Sequence, residues 1–429
     1  MTGEDLRRED CDVAVVGGGP AGLAAATGIR RAGAGRVVVL DREPQPGGIP
    51  RHARHQGFGI RDLHRAMSGP AYAARLADAA SSAGAEIRAE AQATGWHDGA
   101  LAVTSPGGRY ALDARAIVLA TGCRERPRSA RLVPGSRPQG VMTTSTLQQL
   151  VYLHGESPGR RAVVVGAEHV SFSALLTLAH GGAEAVAMVT DQPRHQTFGA
   201  FKLGAAIRYR VPLHTRAAVS AIRGRRRVEE VELRDLDSGE TWSLDCDLVV
   251  FTADWIPDQE LAVLAAVELD PLTRGPAVDT ALRTSRPATF AAGNVLHGAE
   301  TADIASLSGA HVAGAVARHL DGEAWPESRV PIRCEPPLGW IAPNAVTRTS
   351  GTPPRQHFLL RAAQMLKRPQ VEITQDGRRL WTGGLRRLGP GRSTSLPAGW
   401  TAGVDPAGGP VRATLVPGSR AGFGGLGRP

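Results

Sequence analysis

The sequence predicts an α/β chain of two Rossmann-like dinucleotide-binding domains followed by a small β-rich C-terminal domain. Three observations carry this: a strand, Gly-rich turn, helix and strand at the N-terminus, a second unit of the same order near residue 160, and a change of character after residue 322. In the first unit, residues 11–16 (CDVAVV) form a short apolar run, and GGGPAGLAAATGIRRAG reads as a turn opening an Ala-rich helix that stops at Gly33. RVVVLD then supplies a second buried strand. The later unit runs RAVVVGAEHVSFSALLTLAHGG and AEAVAMVTD, and the interval from Gly166 to Asp191 nearly equals that from Gly17 to Asp41.

Between the two units lie a helix entered at Pro70, several alternating strands, and the run AIVLATG at 116–122, which suits a strand buried on both faces. DLVVFTAD at 247–254 closes the second unit, and ATFAAGN at 288–294 precedes a helix running to about His319. The first domain is therefore discontinuous, residues 1–123 with 254–322, and the second occupies 124–253. In 323–429, short strand-like pieces alternate with Pro and Gly, and Trp340, Trp381 and Trp400 are spread among them. FLLRAAQML at 358–366 reads as a helix there, and the tail SRAGFGGLGRP as mobile.

The 429 residues carry 50 basic and 41 acidic side chains, a net +9 that raises nucleic acid or an anionic membrane as a partner. The distribution argues against nucleic acid. Residues 1–322 balance by count, so the whole excess belongs to the C-terminal appendage. Arg225, Arg226 and Arg227 are followed at once by Glu229 and Glu230 and read as a charged hairpin. The four cysteines, Cys11, Cys123, Cys246 and Cys334, lie far apart and offer no CxxC, zinc, iron–sulfur or disulfide spacing, which fits a reducing cytoplasm. The start of the chain lacks the apolar stretch of a signal peptide, and no run approaches the ~20 apolar residues that span a bilayer.

The first chemical motif is Gly17-Gly18-Gly19-Pro20-Ala21-Gly22, a GxGxxG between strand and helix. Gly17 permits the tight turn, Gly19 lets backbone approach a pyrophosphate, and Gly22 lets helix pack on strand. The helix N-terminus offers amide donors and positive dipole to phosphates, and Asp41 is placed to bind an adenosine ribose. Ala120-Thr121-Gly122 and Ala292-Gly293-Asn294 each end a strand in a turn. Taken in order, these motifs resemble the pyridine nucleotide-disulfide oxidoreductase superfamily, flavoproteins with two dinucleotide domains.

Within it, GGIPRHARHQGFG at 47–59, MSGPAYAARL at 67–76 and ATGCRERPR at 120–128 resemble one group over residues 11–320. That group comprises FAD-dependent oxidoreductases encoded beside glycerol-3-phosphate dehydrogenases, related to the α subunits of sarcosine oxidase, opine oxidase and hydrogen cyanide synthase. The resemblance implies that Gly17, Gly19, Pro20, Ala21, Gly22, Asp41, Arg42, Gly48, Thr121, Gly122, Gly293 and Asn294 surround FAD, with Gly293 and Asn294 on its ribityl–phosphate side. It also implies that the helix beginning near Thr301 aims its N-terminal dipole at the flavin.

Departures from the pattern narrow the reaction. Disulfide reductases of the superfamily set a cysteine pair against the flavin; here Cys123 stands alone after ATG, and Ala53 replaces a cysteine common in the group. Dithiol chemistry and an internal iron–sulfur relay are excluded, and no metal site is expected. The second fingerprint reads Gly166-Ala167-Glu168-His169-Val170-Ser171, with a carboxylate at the middle glycine. Two readings stay open: NAD(P)H bound weakly or in a shifted pose, with Asp191 favouring NAD, or a relic domain whose crevice serves something else. His55, His52 and His297 are the candidate acid–base residues, because two follow the GGI turn and one the Gly-Asn turn.

The sequence therefore reads as a cytoplasmic FAD-dependent oxidoreductase that passes hydride through flavin N5, its donor NADH or a small amine, amino acid or hydroxy acid. The first alternative is an electron-relay α subunit that works with a second flavoprotein or electron-transfer subunit. The other is a flavin-bearing scaffold whose basic appendage binds an acidic partner.

Overall fold

The computed structural model describes residues 6–197, 211–298, 300–349 and 351–416, so the glycine-rich tail lies outside the described residues. The chain divides into two units, residues 1–51, 56–123 and 257–429 in one, and 52–55 with 124–256 in the other.

The first unit begins with β1 (Arg7–Val16), α1 (Pro20–Arg31) and β2 (Val37–Leu40), followed by α2 (Gly69–Ser82) and β3 (Glu86–Arg88). A meander of β4 (Gln92–His97), β5 (Ala100–Ser105) and β6 (Gly108–Leu119) completes its first stretch. Valine-rich β1 and β2 are buried because both faces of a parallel sheet are covered. The strand order is β3-β2-β1-β6-β5-β4, parallel from β3 to β6 and antiparallel through the meander.

The second unit contains β7 (Val141–Thr143), α3 (Thr144–Tyr152), β8 (Arg161–Val165), α4 (His169–His180), β9 (Glu184–Val189) and β10 (Leu213–His214). An antiparallel trio follows, β11 (Ala217–Arg223), β12 (Glu230–Asp235) and β13 (Thr241–Asp245), before β14 (Leu248–Phe251) returns to the main sheet. That sheet is parallel throughout, in the order β7-β14-β8-β9-β10. Arg225–Arg227 lie in the connection between β11 and β12. Residues 254–256 fall in this unit and residues 323–429 in the first, and residues 52–55 belong to this unit as well. Arg54 ties them there: its guanidinium donates to the Tyr152 carbonyl at 3.2 Å and lies 5.3 Å from the Tyr152 ring centre.

The chain re-enters the first unit with β15 (Thr289–Ala291), parallel to the end of β6, and α5 (Ala302–Leu320). α5 crosses α1 at close range, since a Cβ on Gly309 would lie 1.9 Å from the Ala21 carbonyl oxygen. The C-terminal part has its own apolar core and two main sheets. One contains β16 (Val330–Cys334), β19 (Gln370–Gln375), β20 (Arg378–Gly384) and β22 (Val411–Leu415); the other joins β17 (Leu338–Ala342), β18 (His357–Ala362) and β21 (Thr394–Pro397). The helix expected at 358–366 is instead β18. Phe358, Leu360 and Ala362 are buried on one face while Leu359 and Arg361 alternate with them, which is the period of a strand.

No helix among the described residues is long and apolar enough to cross a membrane.

Candidate functional site

At the C-terminal edge of the first sheet, β1 ends in Gly17, whose φ of +109° only glycine adopts easily. The turn is closely packed: a Cβ there would lie 2.4 Å from the Ala120 carbonyl oxygen, and the Gly17 amide donates to the Leu40 carbonyl at 2.8 Å. Gly22 is equally confined, a Cβ on it falling 1.8 Å from the Gly17 carbonyl oxygen. Gly19 is different. It is the N-cap of α1, has no side-chain cap, and a Cβ on it would meet nothing nearer than the Gly48 Cα at 4.0 Å. The first turn of α1, from Pro20 through Ala21 to Gly22, thus has no side chain capping its amides, although Ala21 and Gly22 are themselves buried.

The surrounding segments close in on this opening. The Gly47 amide donates to the Gly18 carbonyl at 2.7 Å, which sets Gly48 beside Gly19 and Pro20. Asp41 is buried, accepts the Glu43 amide at 2.9 Å and packs against Gly18; burial raises its carboxyl above the usual range. Thr121 donates to the Asp258 carbonyl at 2.6 Å, and the Asp258 amide donates to the Gly122 carbonyl at 3.0 Å, so this turn is pinned. Gly293 approaches Ala21 closely enough that a Cβ would fall 2.6 Å from the Ala21 Cβ. Of the residues the sequence singled out, Arg42 stands apart, exposed and 3.9 Å from Glu43. Asn294 is engaged elsewhere, because its carboxamide donates to the Glu300 carbonyl at 3.1 Å and accepts the Glu300 amide at 2.9 Å, bracing the approach to α5. The first turn of α5 carries its own carboxylate, Asp303, paired with Arg61 at 3.0 Å.

The histidines divide between the units. His52 is buried and His55 half-buried in the second unit. His297, in the first, is buried and stacks on Trp340, ring centres 4.9 Å apart and planes at 12°. Burial lowers its pKa to about 4, so it is neutral near pH 7 and a weak proton acceptor. Arg361 covers Trp340 at 4.8 Å and pairs with Glu300 at 2.9 Å, and Ser393 also donates to Glu300 at 2.6 Å. Sequence reasoning missed this group because Trp340 reaches His297, and Arg361 and Ser393 reach Glu300, only through long-range packing. Beside it, Asn294, His297, Glu300, Ile304, Arg355 and His357 line part of a narrow cleft.

The His297 shift has a measurable sign. The unfolded chain takes a proton near pH 6.5 and the folded chain only near 4, so stability is full above about 6.5 and falls as pH drops through that window. The loss reaches about 3 kcal/mol. Glu125 titrates in the opposite sense: buried, accepting the Ser145 amide at 2.8 Å, its carboxyl is pushed up to about 7 by burial. Its stabilisation is lost as pH rises through 7. Comparing wild type with His297→Gln isolates the histidine: the drop in urea midpoint from pH 7 to pH 5 is expected to shrink in the variant, and an equal drop in both would contradict the assignment.

In the second unit, Gly166 follows β8 and α4 begins at His169, but the cap is Glu168. Its carboxylate accepts the Ser171 hydroxyl at 2.6 Å, the Thr252 hydroxyl at 2.9 Å and the backbone amide of Ser171, while Ser171 Oγ accepts the Glu168 amide at 3.1 Å. Asp191 is exposed just beyond β9 and accepts from its neighbour Gln192 at 3.2 Å. None of the four cysteines forms a disulfide, and burial pushes Cys11, Cys246 and Cys334 up to about 12. No cluster of metal-ligating side chains occurs among the described residues.

The sequence profile of the pyridine nucleotide-disulphide oxidoreductase family matches residues 11–309. The chain belongs to this family. It is accordingly an FAD-dependent oxidoreductase, and the uncapped amides of α1 suit a pyrophosphate. Among curated relatives of this oxidoreductase are the alpha subunit of sarcosine oxidase from Rhizobium meliloti strain 1021 and the A subunit of opine oxidase from Agrobacterium tumefaciens strain Ach5. The first is 26% identical over 55% of this chain and 24% of its own length, the second 34% identical over 36% and 32%. The chain thus spans a quarter to a third of the length of these two relatives. In fold, it is similar to a crystal structure of T. acidophilum thioredoxin reductase, with a TM-score of 0.61 and 24% identity over 72% of this chain and 98% of that one.

Proposed function

We propose that this oxidoreductase takes a hydride from a small amine, amino acid or hydroxy acid and passes it on without a redox dithiol. The observation that carries the reading is the N-terminus of α1, uncapped by any side chain, beside buried Asp41. Bound FAD supplies the two-electron acceptor at its N5. The chain's own groups hold it: the α1 amides face the pyrophosphate, Asp41 takes the adenosine ribose, and Gly48, Thr121, Gly122 and Gly293 wall the crevice with backbone. The neutral, stacked His297 suits packing better than proton exchange. The donor class rests on the names of the relatives.

Anaerobic mixing with a panel of such compounds tests the reading. Bleaching of the visible flavin band by at least one of them in the isolated protein is expected, and a band unchanged by the whole panel, with or without a partner, would contradict it. Both relatives are named as subunits, which favours a second reading, in which a partner flavoprotein oxidises the substrate and this chain relays its electrons. Bleaching only after a partner is added would select that one.

A further inference from the structure

The family implies a nicotinamide dinucleotide on the second unit, and the residues there do not fit one. We propose that Glu168 occupies the phosphate-binding position of the second fingerprint, so that the crevice is closed to NAD(P)H and electrons enter from a non-nucleotide donor. This deepens the reading above and rests on the chain being a flavoenzyme.

Two helix N-termini in one molecule make the contrast. On α1, the cap position is a glycine, no side chain caps the amides, and a Cβ there would meet nothing nearer than 4.0 Å. On α4, the same position holds a carboxylate that accepts the Ser171 amide, one of the donors a pyrophosphate would use. Ser171 returns the contact from the place of the last glycine, completing a capping box. Thr252, just beyond β14, fixes the carboxylate from the neighbouring strand at 2.9 Å, and its hydroxyl lies 2.7 Å from that of Ser171. The group is so tightly set that a Cβ on Gly166 would lie 1.8 Å from the Thr252 hydroxyl and 2.6 Å from the Glu168 carboxylate. A dinucleotide would have to displace three hydrogen bonds and bring its two phosphate charges against a carboxylate. Burial raises the Glu168 carboxyl above its usual range while the hydroxyls oppose that shift. Asp191 keeps the position of a ribose acceptor, but without the phosphate anchor it has nothing to complete.

Anaerobic equilibrium dialysis of NADH, and separately of NADPH, against the flavin-loaded full chain tests this by binding alone. Wild type is expected to hold neither nucleotide at up to millimolar concentration, and Glu168→Gly or Glu168→Ala to bind NADH at least about tenfold more tightly than wild type. Retention of either nucleotide by wild type at micromolar concentration would overturn the proposal, as would a folded, flavin-loaded variant with no gain. If both variants fail to fold, the wild-type result decides alone. Flavin content, measured in the same samples, reports on the FAD site, so failure of the flavoenzyme reading is distinguishable from failure of this one.

Discussion

Gly19→Glu is expected to leave the fold intact and strip the chain of FAD. The backbone at Gly19 is extended, with φ at −79°, so a glutamate is conformationally acceptable, and the space where its Cβ would go is open to 4.0 Å. The new carboxylate would cap α1 in the way Glu168 caps α4, consuming the amides that FAD needs and setting a negative charge where phosphates must lie. A weakening of FAD binding by at least about hundredfold, or ~3 kcal/mol, follows. Gel filtration followed by the ratio of flavin to protein absorbance measures it. A stoichiometric flavin in the variant would show that α1 is not the phosphate site.

The second large effect concerns stability. Asp279 and Arg283 form an ion pair at 2.8 Å with side chains 0% and 4% exposed, and Asp279 also accepts the amides of Ala281 and Arg283. Arg283 reaches on to Thr347 and Thr349, each at 3.1 Å, so the pair binds the C-terminal part to the β15 region. Asp279→Ala leaves the buried guanidinium with only the half-buried Glu323 carboxylate, 3.2 Å away, and is expected to cost about 3 kcal/mol. Replacing both residues with apolar ones of similar size is expected to cost much less, because no charge is then stranded. Urea denaturation of the single and double variants reads the difference. Equal losses in the two would mean that packing, and not the stranded charge, sets the effect.

Much of the fold was legible because it is local. The GxGxxG turn, the Ala-rich helix after it and Asp41 at the end of the next strand are specified by residues close in sequence, and α1, β2 and their turn follow that pattern. Residues 358–366 misled because FLLRAAQML offers apolar residues at helical spacing as well as at period two; burial of Phe358, Leu360 and Ala362 against a sheet decided for the strand. Glu168 was legible as a carboxylate in the wrong place for a phosphate. Its role as a cap needed Thr252, from a strand more than eighty residues away, and the Ser171 rotamer. The stack of His297, Trp340 and Arg361, with Arg361 paired to Glu300, joins segments with no shared motif, so nothing local announced it.

On the proposed reading the two fingerprints divide the labour: the uncapped one takes FAD, and the other is closed by its own carboxylate. Anaerobic titration of NADH into the purified flavoprotein, followed at the visible flavin band, tests that division most directly. The flavin is expected to stay oxidised through a large excess of NADH; stoichiometric bleaching would contradict it.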